Sequence, residues 1–465
     1  MKKIIIFIIG VTIMINNQLI AKLNIPKYSN IDYKPEKLTP LYIDTNGLKL
    51  YIKSDKTLPV IKITAFIKTG KVYEPSDKVG LGTLLFELLR DGGTAKFKSE
   101  DIDKKLEYLG AEINTIINNE DGSISMYCHK KDFNEVFEIF MDIIKNPAFE
   151  IEKFNLKKME IIETIKRRND VPSKQATREA LRRFFGKDHP YGRRPEIENI
   201  EKITIDDLKE FHKRFFNSKN MIFSISGDFE EKEMLTKISK EFSTIPAGDQ
   251  LADEIKEPLI PNGKKIYVID KPLRQAFIAI MHKAIKRHDE REFPLIVLME
   301  YMGGGIQSKL GNEIRSKRGL AYSVYQYFSK RDKAGFIMTY VGTKPESVEE
   351  AIENILSELE KAKSGMIDEK EFEMAKSQLI NSFVFRFENV SSLLNEKASY
   401  DIYSYPDDYL YKYTERINSV NIDDVKKIAK DFYDLNNYLI FIVGDYKKFK
   451  DNLTKFGEVE IVEED

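Results

Sequence analysis

Hydrophobic and polar residues follow two different periods along this chain, and the change of period separates predicted strands from predicted helices. Short alternating stretches bounded by polar turns predict strands at residues 41–52, 60–68, 265–270 and 275–282. Stretches with apolar residues every three to four positions predict helices at residues 80–90, 99–109, 132–145, 151–168, 290–302, 307–317, 347–363 and 369–385. Strands followed by helices in each half predict an α+β fold, with helices packed on an antiparallel sheet.

The chain contains an internal repeat. Residues 205–229 and 422–446 align without gaps at an offset of 217, and ten of the 25 positions are identical. Each copy begins with two aspartates at a helix start, where carboxylates are favoured, and ends with an apolar strand that leads into Gly-Asp. The sequence therefore predicts two tandem homologous domains.

The composition between the two copies marks a boundary. Pro246, Pro258 and Pro261 occur there with glycines and acidic residues, which is typical of a linker. We therefore predict a first domain over residues 22–242, a linker over residues 243–264 and a second domain over residues 265–465.

The first 21 residues differ in character from the rest. Lys2 and Lys3 precede an apolar run over residues 4–15, which is shorter than the roughly 20 residues that span a bilayer, and Ala21 offers a cleavage position. This pattern predicts a signal peptide over residues 1–21, a periplasmic or secreted protein, and contact with the membrane only through this segment. An uncleaved anchor or a buried strand is the alternative.

The charge balance removes one class of function. The chain has 74 Lys and Arg against 75 Asp and Glu, a net charge of −1, without a long block of like charge, so nucleic acid is not an expected partner. Cys128 is the single cysteine and cannot form an intrachain disulfide, so an oxidising compartment is permitted but not required.

The histidines do not form a zinc motif. No two of them have the i, i+4 spacing that places a zinc pair on one helical face, and neither HExxH nor HxxEH occurs. Each is expected to be a surface or packing residue. The five are His129, His189, His212, His282 and His288.

The predicted helix at residues 80–90, GLGTLLFELLR, resembles the zinc-site region of the insulinase/pitrilysin metallopeptidase family. Members of that family have Gly-Leu-x-His-x-x-Glu-His there. In that register Thr83 and Glu87 stand at the two histidine positions and Phe86 at the general-base glutamate, while the family's further ligand falls on Glu163 or Thr164. The resemblance therefore implies no metal site and no cofactor in this chain, and Glu87 is expected to be a solvated carboxylate.

The resemblance continues through the His189-Pro-Tyr-Gly-Arg193 segment into the second half. Residues 302–310 look like the family's Gly-rich loop, and residues 315–322 look like its Arg/Tyr motif. The resemblance implies that Arg315 and Tyr322 bind substrate backbone and help to hold the oxyanion, and that Gly303, Gly304 and Gly305 contact an extended peptide. The alternatives are a surface salt bridge for Arg315, a half-buried strand aromatic for Tyr322 and a simple turn for the glycines.

The local pattern agrees with a shared location for Arg315 and Tyr322. A helix at residues 307–317 would carry Arg315 near its end, Gly319 is a suitable helix stop, and a strand resumes at residues 321–328. The two side chains are therefore expected to emerge from adjoining ends of these elements, close together at one opening of the fold.

The zinc motif is lost while the Arg/Tyr motif is kept. This combination, together with the family resemblance, implies a non-catalytic subunit of a heterodimeric zinc metallopeptidase, inactive alone, that forms half of a clam-shell around unfolded peptides. An HxxEH-containing family subunit would supply the zinc. The alternative is a non-enzymatic peptide-binding or structural homodimer of the same fold. A zinc enzyme with unusual ligands would need Glu87, Glu163 and a further unseen ligand.

Overall fold

The computed structural model describes residues 33–43, 47–249, 251 and 254–464. The predicted signal peptide over residues 1–21 lies outside the described residues. Within those ranges, no helix combines the length and the apolar character that crossing a bilayer requires.

Two six-stranded sheets, one from each half of the chain, form the framework of the fold. The first has the order β1-β2-β6-β3-β5-β4 and the second β12-β7-β11-β8-β10-β9. The strands of the first sheet are β1 (Leu41–Ile43), β2 (Leu48–Ser54), β3 (Val60–Ile67), β4 (Glu112–Ile117), β5 (Gly122–His129) and β6 (Met221–Gly227). Those of the second are β7 (Lys264–Asp270), β8 (Ala276–Ala284), β9 (Ala321–Lys330), β10 (Gly335–Thr343), β11 (Tyr438–Gly444) and β12 (Glu458–Ile461).

The strand directions refine the predicted antiparallel sheets. β2 runs parallel to β6, and β7 runs parallel to both β11 and β12, whereas the other pairings are antiparallel. β6 and β11 enter the middle of their sheets through a preceding helix, so a tight hairpin does not fix their direction. The α+β class is confirmed, with mixed sheets.

Helices cover the faces of both sheets. They are α1 (Leu81–Asp91), α2 (Ser99–Leu109), α3 (Phe133–Lys145), α4 (Ile151–Lys166), α5 (Pro172–Phe185), α6 (Ile197–Lys202), α7 (Ile205–Phe215), α8 (Glu231–Phe242), α9 (Glu292–Gly303), α10 (Val348–Lys363), α11 (Glu369–Phe383), α12 (Val390–Ile402), α13 (Tyr413–Ser419) and α14 (Ile422–Phe432). The predicted helices agree within two residues at each end, except the one at residues 307–317. There the chain forms a π-helix over Gly311–Lys317.

The internal repeat has the same local structure in both copies. α7 followed by β6 matches α14 followed by β11, and each helix starts with a capping box. Thr204 Oγ1 accepts from the Asp207 amide at 3.3 Å, and Asn421 Oδ1 accepts from the Asp424 amide at 2.9 Å, while each aspartate bonds back to the cap amide. The second aspartate of each pair therefore closes the helix start, as capping boxes do.

A matched pair of lysines extends the repeat beyond the aligned segment. Lys158 Nζ donates to the carbonyls of Glu201 and Ile203 at 2.9 Å each. Lys376 Nζ makes the same bonds to the carbonyls of residues 418 and 420, at 3.0 and 2.8 Å. These carbonyls lie at the ends of α6 and α13, where the helix dipole favours a cation.

The two halves exchange helices. α5, from the first half, packs on β8 and β11 of the second sheet, and α12, from the second half, packs on β2, β3 and β6 of the first. Phe184 and Phe185 of α5 share a buried cluster with strand residues such as Met338, and Leu394 and Ala398 of α12 share another with Tyr51 and Ile222. The predicted linker would join the halves in sequence, whereas these helices join them in space.

Buried Glu120 forms a second junction between the halves. Its carboxylate accepts from the Tyr191 hydroxyl at 2.5 Å, from Arg287 at 2.5 Å and from the Asp332 amide at 2.9 Å. The Tyr191 hydroxyl also accepts from the Lys333 amide at 3.1 Å. The His-Pro-Tyr-Gly segment found in the sequence therefore links the β4–β5 turn to the β9–β10 turn.

Two histidines, buried His282 and partly buried His212, are electrically neutral at pH 7. Burial lowers the pKa of His212 and of His282 to about 4. His212 Nε2 donates to the Ile144 carbonyl at 2.9 Å, whereas neither ring nitrogen of His282 has a hydrogen-bond partner among the described residues.

We expect these histidines to make the fold acid-sensitive. Below about pH 6.5 the unfolded chain binds a proton at each imidazole, while the folded chain does so only near pH 4, so stability falls as pH falls through this window. Each imidazole changes the free energy of unfolding by up to about 1.4 kcal/mol per pH unit in this window. His282→Phe should remove the contribution of one imidazole to this pH dependence. The measurement is the free energy of unfolding in urea at several pH values within the window. Equal slopes in the two proteins would contradict this assignment.

Candidate functional site

The start of α1 is held in place by a buried carboxylate. Glu74 accepts from the amides of Gly80 and Gly82 at 2.8 and 2.9 Å, at the helix end that favours an anion. Arg193 donates to the carbonyls of Lys71, Val72 and Glu74 in the turn before the helix. The helix whose residues correspond to the family's zinc-ligand positions is therefore held firmly in place.

Phe86, at the general-base position, is a core residue. Its side chain is 2% exposed and packs against Phe216, with ring centroids 6.0 Å apart. A Cβ on Gly122 of β5 would lie 2.4 Å from the Phe86 ring, so the ring fills the space between α1 and the sheet. This position cannot present a base to a water molecule.

The positions of the zinc ligands carry residues with other partners. Glu87 is half-buried, and burial raises the pKa of its carboxyl, against the opposing effect of Lys157. Lys157 itself bridges Asp91 of α1 at 2.9 Å and Glu160 of α4 at 3.0 Å. Glu163 is exposed and pairs with Lys166 at 2.6 Å.

These residues do not fit a zinc ion. The set of possible ligands contains no imidazole and consists of Thr83, Glu87 and exposed Glu163. The ammonium of Lys157 already lies between α1 and α4. Across the described residues, no group of three or more His, Cys, Asp or Glu is arranged to hold a metal. No chemical step is therefore assigned to a metal in this chain.

The purified chain should contain well below one zinc ion per molecule, because neither α1 nor α4 supplies a strong ligand. Elemental analysis by inductively coupled plasma mass spectrometry, after dialysis against a chelator, measures this directly. Stoichiometric zinc that survives the chelator would overturn the assignment of a degenerate site.

Arg315 lies on the π-helix and contacts Tyr322. Its guanidinium carbon is 5.4 Å from the centroid of the Tyr322 ring, and the side chain is half-buried. Gly319 adopts a left-handed conformation, φ 63°, that ends the helix, as the sequence predicts. π-Helical turns are rare and are frequent at functional sites. The two candidate side chains are brought together.

The other cations around Arg315 are neutralised by carboxylates. Lys317 and Arg318 pair with Glu313 at 2.6 and 2.9 Å, and Lys309 pairs with Glu371 at 3.4 Å. Among the described residues, Arg315 has no carboxylate partner. Its guanidinium is therefore available to an external acceptor, which argues against a surface salt bridge. The i, i+4 spacing of Glu313 and Lys317 is the sequence signal for this arrangement.

Tyr322 lies in a β-bulge of the edge strand β9. Ser323 is opposite Gly342 and Ala321 is opposite Thr343, so the register shifts at Tyr322. Its side chain is 79% exposed, which differs from a half-buried strand aromatic. A bulge redirects a side chain away from the regular alternation, and bulges are common beside active sites.

The three glycines occupy different environments. Gly303 is buried at the end of α9, and a Cβ there would lie 2.2 Å from the Gln326 amide nitrogen of β9. Gly304 and Gly305 are exposed, and Gly305 has φ 150°, a conformation that favours glycine. Gly303 therefore serves close packing, and the backbone of Gly304 and Gly305 is accessible.

A cleft of about 240 Å³ opens beside this loop. Glu300, Gly305, Ser308, Glu371 and Met374 are among the residues that line it. Burial raises the pKa of the Glu300 carboxyl. The cleft places polar groups next to the accessible glycine backbone.

Two family models match the chain. The model described as insulinase, peptidase family M16, matches residues 49–194, and the model described as peptidase M16 inactive domain matches residues 202–379. Together the two models match more than half of the chain. The first covers the degenerate zinc site, and the second covers the Gly-rich loop, Arg315 and Tyr322.

Full-length relatives and a solved structure agree with these matches. The uncharacterized zinc protease YmxG of Bacillus subtilis is 22% identical over 395 residues, which are 84% of this chain and 95% of that protein. The non-peptidase homolog YmxG of Helicobacter pylori is 24% identical over 425 residues, 89% and 95% of the two chains. The crystal structure of a peptidase M16 inactive domain from Pseudomonas fluorescens matches with a TM-score of 0.81 at 21% identity, over 88% of this chain and 98% of that one.

Proposed function

The chain belongs to the insulinase family, peptidase family M16, and from this membership we propose that it is the non-catalytic subunit of a heterodimeric zinc metallopeptidase. It is a peptidase homologue without the HxxEH motif. The observation that carries the proposal is the Arg315 guanidinium, which has no carboxylate partner in the part of the chain that the structure describes. It lies against the exposed Tyr322 ring, while the neighbouring cations are neutralised.

The two side chains supply hydrogen-bond donors of different shape. The planar guanidinium of Arg315 donates to two acceptors at once, and the Tyr322 hydroxyl donates along one direction. In the assembled enzyme they would bind the carbonyl oxygen and backbone of a peptide at the zinc of the partner subunit, an HxxEH-containing family member. Donors placed where negative charge develops stabilise the transition state.

The assembled pair would enclose its substrate. Each subunit would form half of a clam-shell, and an unfolded peptide would lie between them, in contact with the backbone of Gly304 and Gly305 and next to Gly303. The signal peptide predicted at residues 1–21 would place this assembly in the periplasm or outside the cell. Zinc would belong to the partner and not to this chain.

A second candidate is a non-enzymatic peptide-binding or structural homodimer of the same fold. The Helicobacter pylori relative, the non-peptidase homolog YmxG, favours this class. The retained Arg315 and Tyr322 argue against it, because a purely structural subunit has no chemical need for an unpaired guanidinium beside an exposed phenol.

The identity of the partner separates the two candidates. We expect the tagged protein, purified from its native host, to bring down a second subunit in near-equal amount that contains HxxEH, identified by mass spectrometry. Recovery of the chain alone, or as a self-dimer, would favour the non-enzymatic candidate.

Mutation of the two donors should abolish most of the activity of the assembled pair. We expect Tyr322→Phe and Arg315→Ala each to lower kcat about 100- to 1000-fold, the effect of losing one oxyanion donor, as measured by cleavage of a quenched fluorescent peptide. Co-elution with the partner should be unchanged, because neither residue is in the core.

Matched controls test whether these effects are specific. Lys317→Ala removes a nearby exposed cation that is paired with Glu313, and Tyr325→Phe removes an exposed hydroxyl on the same strand as Tyr322. Both should change kcat by less than about twofold, as surface substitutions do. Full activity of Tyr322→Phe would remove Tyr322 from the site, and full activity of Arg315→Ala would refute the proposed function.

A further inference from the structure

Ser308 connects the Gly-rich loop to the π-helix. Its hydroxyl donates to the Gly305 carbonyl at 2.6 Å and accepts from the Gly311 amide at 3.3 Å. The Ser308 amide also donates to the Gly305 carbonyl, at 3.2 Å, and its carbonyl accepts from the Asn312 amide at 2.9 Å. One side chain, 9% exposed, therefore joins the accessible loop to the first residue of the helix that carries Arg315.

Close packing strengthens this connection. A Cβ on Gly311 would lie 2.4 Å from the Gly305 carbonyl oxygen and 2.5 Å from that of Ile306, so the loop rests directly on the helix backbone. The helix is anchored from below by Leu310 and Ile314, both fully buried. A displacement of the loop would therefore be passed to the helix.

We propose that Ser308 is a positioning residue that holds the Gly304–Gly305 backbone and the Arg315 side chain in one fixed arrangement. The inference rests on the proposed function, and it deepens it by adding the group that aligns the two substrate contacts. Ser308 does not touch the substrate. It acts through Gly305 on one side and through the π-helix on the other.

Loss of the Ser308 hydroxyl should misalign the two substrate contacts without removing either of them. Arg315 must reach the peptide carbonyl while the loop backbone holds the same peptide, and small misplacements of catalytic groups reduce rates strongly. Without the Ser308 hydroxyl, the Gly305 carbonyl and the Gly311 amide lose their shared partner. The backbone bonds of Ser308 and the close packing at Gly311 remain, so the loop and the helix are then coupled more weakly.

The test uses the assembled pair with this chain at full length. We expect Ser308→Ala to lower kcat about five- to tenfold, the effect of one hydrogen bond, with a smaller change in KM. Ser308→Thr, which keeps the hydroxyl, should restore kcat to within about twofold. Ser329→Ala, at the far end of β9, is the matched control and should have the activity of the unmodified pair.

Coupling to Arg315 distinguishes positioning from an independent effect. In an Arg315→Ala background, Ser308→Ala should lower kcat by less than about twofold more, because the group that it aligns is already absent. Independent, multiplying effects of the two substitutions would overturn the proposal. The proposal would also be overturned if the assembled pair with Ser308→Ala kept its kcat while the pair with Arg315→Ala was inactive. That outcome would leave the proposed function intact.

Hydrogen exchange of the isolated chain gives a readout without activity. We expect the amides of residues 311–320 to exchange about five- to tenfold faster in Ser308→Ala than in Ser308→Thr, while α14 is unaffected. Unchanged exchange in this segment would refute the link between loop and helix. Full activity of Arg315→Ala would instead refute the proposed function, and the exchange data would still decide whether Ser308 couples the two segments.

Discussion

Each sheet of this protein depends on a helix from the other half of the chain. The helices of each half cover one face of that half's sheet. The other face is covered by the exchanged helix, α12 on the first sheet and α5 on the second. The buried pair of Glu120 and Arg287 joins the same two halves, and removal of one partner of such a pair costs about 3–5 kcal/mol in known cases. The surfaces that carry the candidate site are therefore held in one relative orientation.

The two regions that resemble the family's zinc site and its Arg/Tyr motif differ in opposite ways. At the zinc end, a phenylalanine fills the core and a lysine bridges the two ligand helices, so the region has become structural. In the second region, Glu313 and Glu371 neutralise the neighbouring cations, and Arg315 has no carboxylate partner within the described ranges.

Local pattern predicted most helices, the internal repeat and the α+β class, because apolar periodicity and caps are local signals. It did not predict α5 and α12. α5 carries three arginines among its apolar positions, and the partner surface of each helix lies in the other half of the chain. The sequence also did not predict the π-helix or the bulge at Tyr322. The π-helix arises from the fit of the loop onto the helix, and the bulge arises from the strand register. The family resemblance, and not periodicity, pointed to Arg315 and Tyr322.

The helix exchange has a consequence for synthesis on the ribosome. β6 completes the first sheet in the order of translation, but α12, which covers the second face of that sheet, is made much later. Until then Tyr51 and Ile222 are without their apolar partners Leu394 and Ala398. The nascent first half therefore presents one uncovered sheet face, of the kind that chaperones bind, until α12 has emerged, although the core between this sheet and its own helices is complete within the first half.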